Sequence, residues 1–283
     1  MKHNRAIIGL PILLVLLFQG TAIAQESYQL EHKFQKGKTY RYKSTSEGET
    51  TQEAMGREMR MTTGNEMTVR LVVEDVRNDG SMVLVVSTDS AVIRSKGPMM
   101  DTTMVMTNMM GKRMRITLTK TGTVRAREVI DSVHYESAGV AVRAPQREAM
   151  SFITLPEKPA KMGEKWTISK TDTVEMMGGT TVNVSDIDYT LVGAESKAGR
   201  DCLKITFTGK TTTTGKMNYM GMEMYSEGDG KVSGTVFFDH EQGLIVLVES
   251  TTSDERTMAM TGQQSMTIQM SSSGKSTQAL LEE

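Results

Sequence analysis

The chain has 283 residues and a nearly balanced charge, with 33 Lys and Arg against 34 Asp and Glu and a formal net charge of −1. Such a balance provides no basic surface, so it argues against nucleic acid as a partner. A single cysteine excludes an intramolecular disulfide, and 25 methionines against 5% aromatic residues predict an interior of aliphatic and thioether side chains.

The N-terminus has the three regions of a secretory signal. A basic start is followed by the apolar residues 6–18 and by the small residues Ala22 and Ala24. An apolar stretch of this length is too short to cross a bilayer, which takes ~20 residues. We therefore expect a signal peptide over residues 1–24, cleavage before Gln25, a periplasmic or secreted location and no membrane anchor in the mature chain.

Residues 25–130 show the period-two alternation of half-buried β-strands. Val69, Leu71 and Val73 alternate with polar residues, and an Asn-Asp-Gly turn ending at Gly80 predicts a tight hairpin, because glycine accepts a positive φ. This segment is predicted to be the first of two β halves.

The alternation stops in a connector over residues 131–159. Pro145 suits the first position of a short helix reaching to residue 152. Pro156 and Pro159 push the residues before them out of the helical region, so an extended stretch should follow.

Residues 160–270 repeat the order of strands and turns seen in the first half, and residues 271–283 are polar and predicted to be a flexible tail. Three pairs of glycines occupy corresponding turns: Gly37 and Gly163, Gly80 and Gly199, and Gly122 and Gly243. Duplication explains this recurrence, and chance recurrence in a Thr- and Gly-rich β protein is the alternative. The predicted fold is all-β, with two similar halves of curved antiparallel sheet, half-barrel-like, and a connector with a short helix between them.

Several short motifs resemble a known pattern. Residues 155–159 read Leu-Pro-Glu-Lys-Pro and lead into Gly-Glu-Lys-Trp at 163–166, while residues 37–40 read Gly-Lys-Thr-Tyr and residues 238–243 form a Phe-Asp-x-x-x-Gly turn. Together they resemble an uncharacterised family of bacterial secreted or periplasmic β proteins. More distantly, the curved sheet is similar to half-barrel lipoprotein and lipid carriers of the LolA type, a fold-level likeness. The resemblance implies no catalytic residues.

The methionines follow the strand period. Four of those near the C-terminus have even numbers and alternate with polar residues, which places their side chains on one face of a strand. The candidate ligand-binding residues are Met59, Met61, Met220, Met222, Met224, Met258, Met260, Met266 and Met270.

Three interpretations of these methionines remain open. Flexible thioethers can fill an irregular core, or they can line a groove that repacks around acyl chains. They also suit Cu(I) or Ag(I), although no His or Cys accompanies the Met-x-Met clusters. The leading prediction is a non-enzymatic secreted or periplasmic protein that carries a hydrophobic ligand, a lipid or acyl chain, on its Met-rich faces. The alternatives are soft-metal binding and a structural protein that contacts an envelope protein and takes no small ligand.

Enzymatic activity is not expected. The sequence has no nucleophile elbow, no His-Glu-x-x-His and no phosphate loop. His32, His134 and His240 are each predicted to be solvated loop residues rather than bases or ligands. We expect no cofactor and no resident metal.

Overall fold

The computed structural model describes residues 26–54, 56–98, 100–137, 140–143, 150, 152–176, 179–219, 222–261 and 265–281. Every regular element within these ranges is a β-strand. The predicted signal peptide lies outside the described residues, as does most of the predicted short helix, of which residues 145–149 and 151 are not described.

Within the described residues, sixteen strands follow in chain order. They are β1 (Ser27–Tyr28), β2 (Thr39–Ala54), β3 (Arg57–Val76), β4 (Met82–Gly97), β5 (Met100–Val105), β6 (Arg113–Leu118), β7 (Val124–Val129), β8 (His134–Ser137), β9 (Val140–Arg143), β10 (Ala160–Lys161), β11 (Lys165–Met176), β12 (Gly179–Lys197), β13 (Arg200–Tyr219), β14 (Met222–Asp239), β15 (Leu244–Thr261) and β16 (Met266–Leu281).

Twelve of these strands form one large antiparallel sheet. Its order is β11-β12-β13-β14-β15-β16-β2-β3-β4-β6-β7, and β5 pairs with the remaining part of β4. Two small sheets, β1 with β10 and β8 with β9, complete the described structure. The large sheet is curved and open, with β11 and β7 at its edges, so the predicted all-β class with a curved antiparallel sheet is confirmed.

The C-terminal strand lies in the centre of the sheet, between β15 and β2. The prediction of a flexible tail over residues 271–283 is wrong for residues 271–281, which continue β16. Residues 271–279 pair with both β15 and β2, and residues 280–281 pair with β2. Its polar side chains bond across the sheet, as in the 2.7 Å contact between the Thr45 and Thr277 hydroxyls. Small hydroxyl residues are typical of turns and loops. They also occur in strands that pack against little of the core, and for this reason the polar composition led to the wrong prediction.

The two halves use the same turns and the same irregularities. All six glycines of the three predicted pairs have a positive φ, between 66° and 90°. The Gly37 amide donates to the Val73 carbonyl (2.9 Å), and the Gly163 amide donates to the Leu191 carbonyl (2.7 Å). Each of those bonds lies next to a β-bulge, after Val73 and after Leu191. Strands β2, β3, β4, β6 and β7 therefore correspond in order to β11 through β15, and duplication itself stays a prediction.

The hydrophobic core lies at one end of the large sheet. We call this the core end; it carries the turns that join β3 to β4, β6 to β7, β12 to β13 and β14 to β15. Fully buried members of the core cluster include Leu30, Tyr42, Leu71, Leu84, Ile116, Leu155, Leu191, Ile205 and Phe238. Burial of each such side chain stabilises the fold by roughly 1.5–3 kcal/mol.

Two segments outside the large sheet close the core end. The His32 amide donates to the Lys120 carbonyl (2.7 Å), the Lys33 amide to the Gly243 carbonyl (3.1 Å), and the Leu155 amide to the Thr121 carbonyl (2.8 Å). The segments before β2 and before β11 thus tie turns from both halves together.

His32 belongs to this core, so its predicted place in a solvated loop is wrong. The side chain is only 2% exposed, its ring lies among Phe34, Phe152 and Phe238, and Nε2 is 3.2 Å from the Ile153 carbonyl oxygen. Burial lowers the pKa of His32 to about 4. The apolar spacing of Leu30, His32 and Phe34 is the strand-like signal that placed it inward.

Candidate ligand-binding face

The strands of the large sheet extend far beyond its core. β3 has 20 residues, roughly 65 Å of extended chain, yet its buried residues Val69, Leu71 and Val73 all lie in its C-terminal half. We call the side of the sheet that carries these residues the core face, and the end away from the core the far end. Toward the far end, the core face carries polar residues and methionines in place of the aliphatic residues.

The far end of the core face carries a band of methionines. Because side chains alternate along each strand, the pairing register shows which methionines share this face. We call this set the methionine band: Met59, Met61, Met217, Met224, Met258, Met260, Met266 and Met270.

Four members of the band lie directly beside one another. Met217 of β13 pairs with Met224 of β14, which pairs with Met260 of β15, which pairs with Met266 of β16. Neighbouring side chains in such a row have Cβ atoms ~4.5–5.5 Å apart, within reach of one another. The row therefore forms a continuous thioether surface across four strands.

Seven of the nine predicted site residues are members of this band. Met220 lies outside the described residues, and of Met222 the structure describes only the backbone at the start of β14. Met59 and Met61 lie on β3, separated from β16 by Gln52 and Thr50 of β2 in register. The prediction that the even-numbered methionines share one face is confirmed.

The band is not part of the core cluster. None of its members is buried in that cluster or packs against it. Met59 and Met61 are 44% and 36% exposed, and the other six are half-buried. These thioethers are therefore available to another molecule.

Between the band and the core, the core face has a polar recess. Its floor is Gly228 and Gly230 of β14, and its walls are Thr211, Thr213, Asp254 and Arg256 of the flanking strands. The volume is about 260 Å³. A Cβ atom on Gly230 would lie 2.5 Å from Thr211 Oγ1, and one on Gly228 would lie 2.6 Å from the Glu255 carbonyl oxygen. Only glycine keeps this floor open.

The polar side chains of the recess differ in whether they have hydrogen-bond partners. Asp254 accepts a hydrogen bond from the Ser272 hydroxyl of β16 (2.7 Å), and the Thr213 hydroxyl donates to Asn183 Oδ1 (2.8 Å). Arg256 Nε is buried and has no hydrogen-bond partner. Arg256 forms no ion pair with any residue that the structure describes.

Sequence reasoning missed this recess and three further methionines. Met217 belongs to the row, and Met100 and Met104 of β5, which are 42% and 51% exposed, extend the apolar surface beyond β4. A signal for the recess was present, because the even-numbered series that runs back from Met258 continues to Arg256.

The thiol lies away from both features. Cys202 is 1% exposed and packs with Phe237 and Val246 in a second small cluster. Burial raises the pKa of its thiol to about 11, which disfavours the thiolate. Among the described residues, no three His, Cys, Asp or Glu side chains are placed to hold a metal ion.

No helix within the described residues is long and apolar enough to span a membrane. No curated protein sequence matches the chain. Among solved structures, Pseudomonas aeruginosa OccK5 (OpdH) is 5% identical, with 87% of this chain and 99% of that chain covered and a TM-score of 0.30. Pseudomonas aeruginosa OpdQ is 6% identical over 86% and 99%, with a TM-score of 0.28. These scores do not establish a shared fold.

One family model matches part of the chain. The match covers residues 146–245, from the connector to the start of β15, and so includes the Leu-Pro-Glu-Lys-Pro and Gly-Glu-Lys-Trp motifs and the Phe-Asp turn. In this region the chain is similar to DUF6263, a family of unknown function.

Proposed function

We propose that the protein is a non-enzymatic binding protein of the periplasm or the secreted fraction that carries a lipid or acyl chain on its methionine band. The observation that carries this proposal is the row of thioethers across β13 to β16, on the core face but outside the core cluster.

Thioether side chains suit such a ligand. Methionine is unbranched and polarisable, so a face built from it can repack around apolar chains of different shape. Burying each CH₂ of an acyl chain there contributes ~0.8 kcal/mol. The opposite face of these strands carries no methionine of the band at the same level; Thr257, Thr267 and Gln269 are exposed there, beside Tyr225 and Ala259. The band is therefore the more apolar side of this extension.

The likeness to LolA-type half-barrel carriers belongs to this proposal. A curved, open sheet with an apolar inner face is the shape that such a carrier needs, and fold likeness alone is a weak argument for function. A purely structural contact with an envelope protein would use the same face, and in that case no small ligand would bind.

The first test places a charge in the band. Met260→Glu should leave the protein folded, because the side chain is half-buried and can reach water, while a fluorescent fatty-acid or phospholipid probe should bind at least tenfold more weakly. Thr267→Glu, on the opposite face of the neighbouring strand, is the matched control and should bind like wild type. Native mass spectrometry of gently purified protein should show co-purified lipid. If Met260→Glu unfolds, or if the wild type binds none of the probes, the methionine band serves only to pack the sheet and the carrier proposal is wrong.

Soft-metal binding is the second candidate, favoured by the same row. Met224, Met260 and Met266 lie in register, and thioether sulfurs are ligands that Cu(I) and Ag(I) prefer. For a lipid carrier we expect Ag(I) to leave the thermal midpoint unchanged. A stoichiometric rise in that midpoint would show binding to the native state. If changing Met224, Met260 and Met266 to Leu abolishes this rise of the midpoint, the protein binds soft metal and the carrier proposal is wrong. Changing Met59 and Met61 to Leu is the control and should leave the rise in place.

A further inference from the structure

We infer that the ligand is a single-chain amphiphile with a carboxylate head, such as a long-chain fatty acid, whose head binds Arg256 in the polar recess while its chain lies over the methionine band. This inference rests on the proposed function and adds to it the class of ligand and the residue that selects it.

The recess and the band are continuous along one strand. Arg256 is followed on the same face of β15 by Met258 and Met260, ~7 Å and ~14 Å further toward the far end. Across the sheet, Arg256 pairs with Met270 of β16 on one side and with Gly228 of β14 on the other. A head held at Arg256 therefore places the following chain directly on thioether side chains.

Arg256 has unused capacity to bind an anion. The buried Nε has no partner, and a buried donor without an acceptor is unfavourable. The carboxylate nearest in sequence on this face is Asp254, which accepts a hydrogen bond from Ser272 on the β16 side. The glycine floor lies on the β14 side. An incoming carboxylate would supply the acceptor that the guanidinium lacks.

A carboxylate fits this arrangement better than a neutral head. The planar guanidinium donates in a fork that matches two carboxylate oxygens, and such charge-assisted bonds are about twice as strong as neutral ones. The Thr211 hydroxyl on the opposite wall donates to no described residue and provides a second donor. The missing Cβ atoms of Gly228 and Gly230 leave space for the head between the two walls.

The test compares two probes that differ only in the head. A long-chain fatty acid with a fluorophore at its tail, and the alcohol with the same chain and fluorophore, are titrated against wild type and Arg256→Gln. Wild type should bind the acid more tightly than the alcohol. Arg256→Gln should weaken binding of the acid at least tenfold and leave the affinity for the alcohol within twofold.

Two further variants complete the experiment. Lys210→Gln removes an exposed positive charge from the opposite face of β13 and should bind both probes like wild type. Thr211→Val keeps the shape of the wall, removes its hydroxyl and should weaken binding of the acid a few-fold; it serves as the test if Arg256→Gln does not fold by circular dichroism.

The outcomes separate the two proposals. If Arg256→Gln, or Thr211→Val in its place, binds acid and alcohol as wild type does, the carboxylate site is overturned and the carrier function stands. If wild type binds neither probe, the carrier function fails and the carboxylate site fails with it.

Discussion

At the scale of single residues, the most informative side chain is a histidine buried in the core. His32 lies among three phenylalanines, with one ring nitrogen bonded to the Ile153 carbonyl and the other, Nδ1, buried without a partner. Protonation would place an unpaired charge in the core. The core therefore holds this imidazole neutral.

This burial predicts that stability falls in mild acid. The pKa of His32 is about 4 in the folded protein, against 6.5 for an ordinary histidine. Between those values the unfolded chain binds a proton that the native state does not, so lowering the pH favours unfolding. The contribution is fully present above pH 6.5 and is lost as the pH falls to about 4.

The expected loss of free energy of unfolding between pH 7 and pH 5 is about 2 kcal/mol, measured by urea unfolding at the two pH values. His32→Gln, which keeps a donor for Ile153 and cannot titrate, should reduce this difference to the share that the carboxylates contribute. An equal pH dependence in wild type and variant would show that His32 is protonated without penalty.

At the scale of elements, the last strand connects the two halves. β16 pairs along most of its length with β15 and with β2. Without residues 271–281, residues 41–51 of β2 and residues 247–255 of β15 would lose their β16 partner, and unpaired strand edges in a sheet promote association.

Truncation after Met270 should therefore prevent native folding rather than trim a disordered end. We expect the truncated protein to lose the cooperative thermal transition and to aggregate, as seen by circular dichroism and size-exclusion chromatography. Truncation after Leu281 is the control, since β16 ends there. An unchanged midpoint after truncation at Met270 would mean that residues 271–281 of β16 contribute little to the sheet.

The elements also show what the sequence could and could not predict. Alternation and turn glycines located the hairpins, because both are local signals. The pairing of β16 with β2 has no local signal. The polar residues of β16 led to the prediction of a flexible tail, because most of this strand lies beyond the core and carries few apolar side chains. The prediction for His32 was wrong and Arg256 was missed for the same reason. In both cases only the position within the alternating series, and not the residue type, indicates that the side chain faces inward.

At the scale of the whole molecule, the core occupies one end of strands that continue well past it. Local stability follows buried contacts, so it should decrease from the core end to the far end. Amide hydrogen exchange measured by mass spectrometry should be slow at 69–73 and at least tenfold faster at 57–63. Added fatty acid should slow exchange at 258–270 in wild type and not in Met260→Glu. Uniform protection along β3 would contradict this gradient.

The central place of β16 also sets the order in which the protein can be made. Thr45 and Thr277, which bond to each other, are 232 residues apart in the chain. Because synthesis starts at the N-terminus, β2 can pair with β3 early. The other edge of β2 stays unpaired until β16 has been synthesised. Such long-range pairing folds slowly and leaves the edge exposed meanwhile. The sheet can therefore be completed only after β16 has been synthesised and has reached its place between β15 and β2.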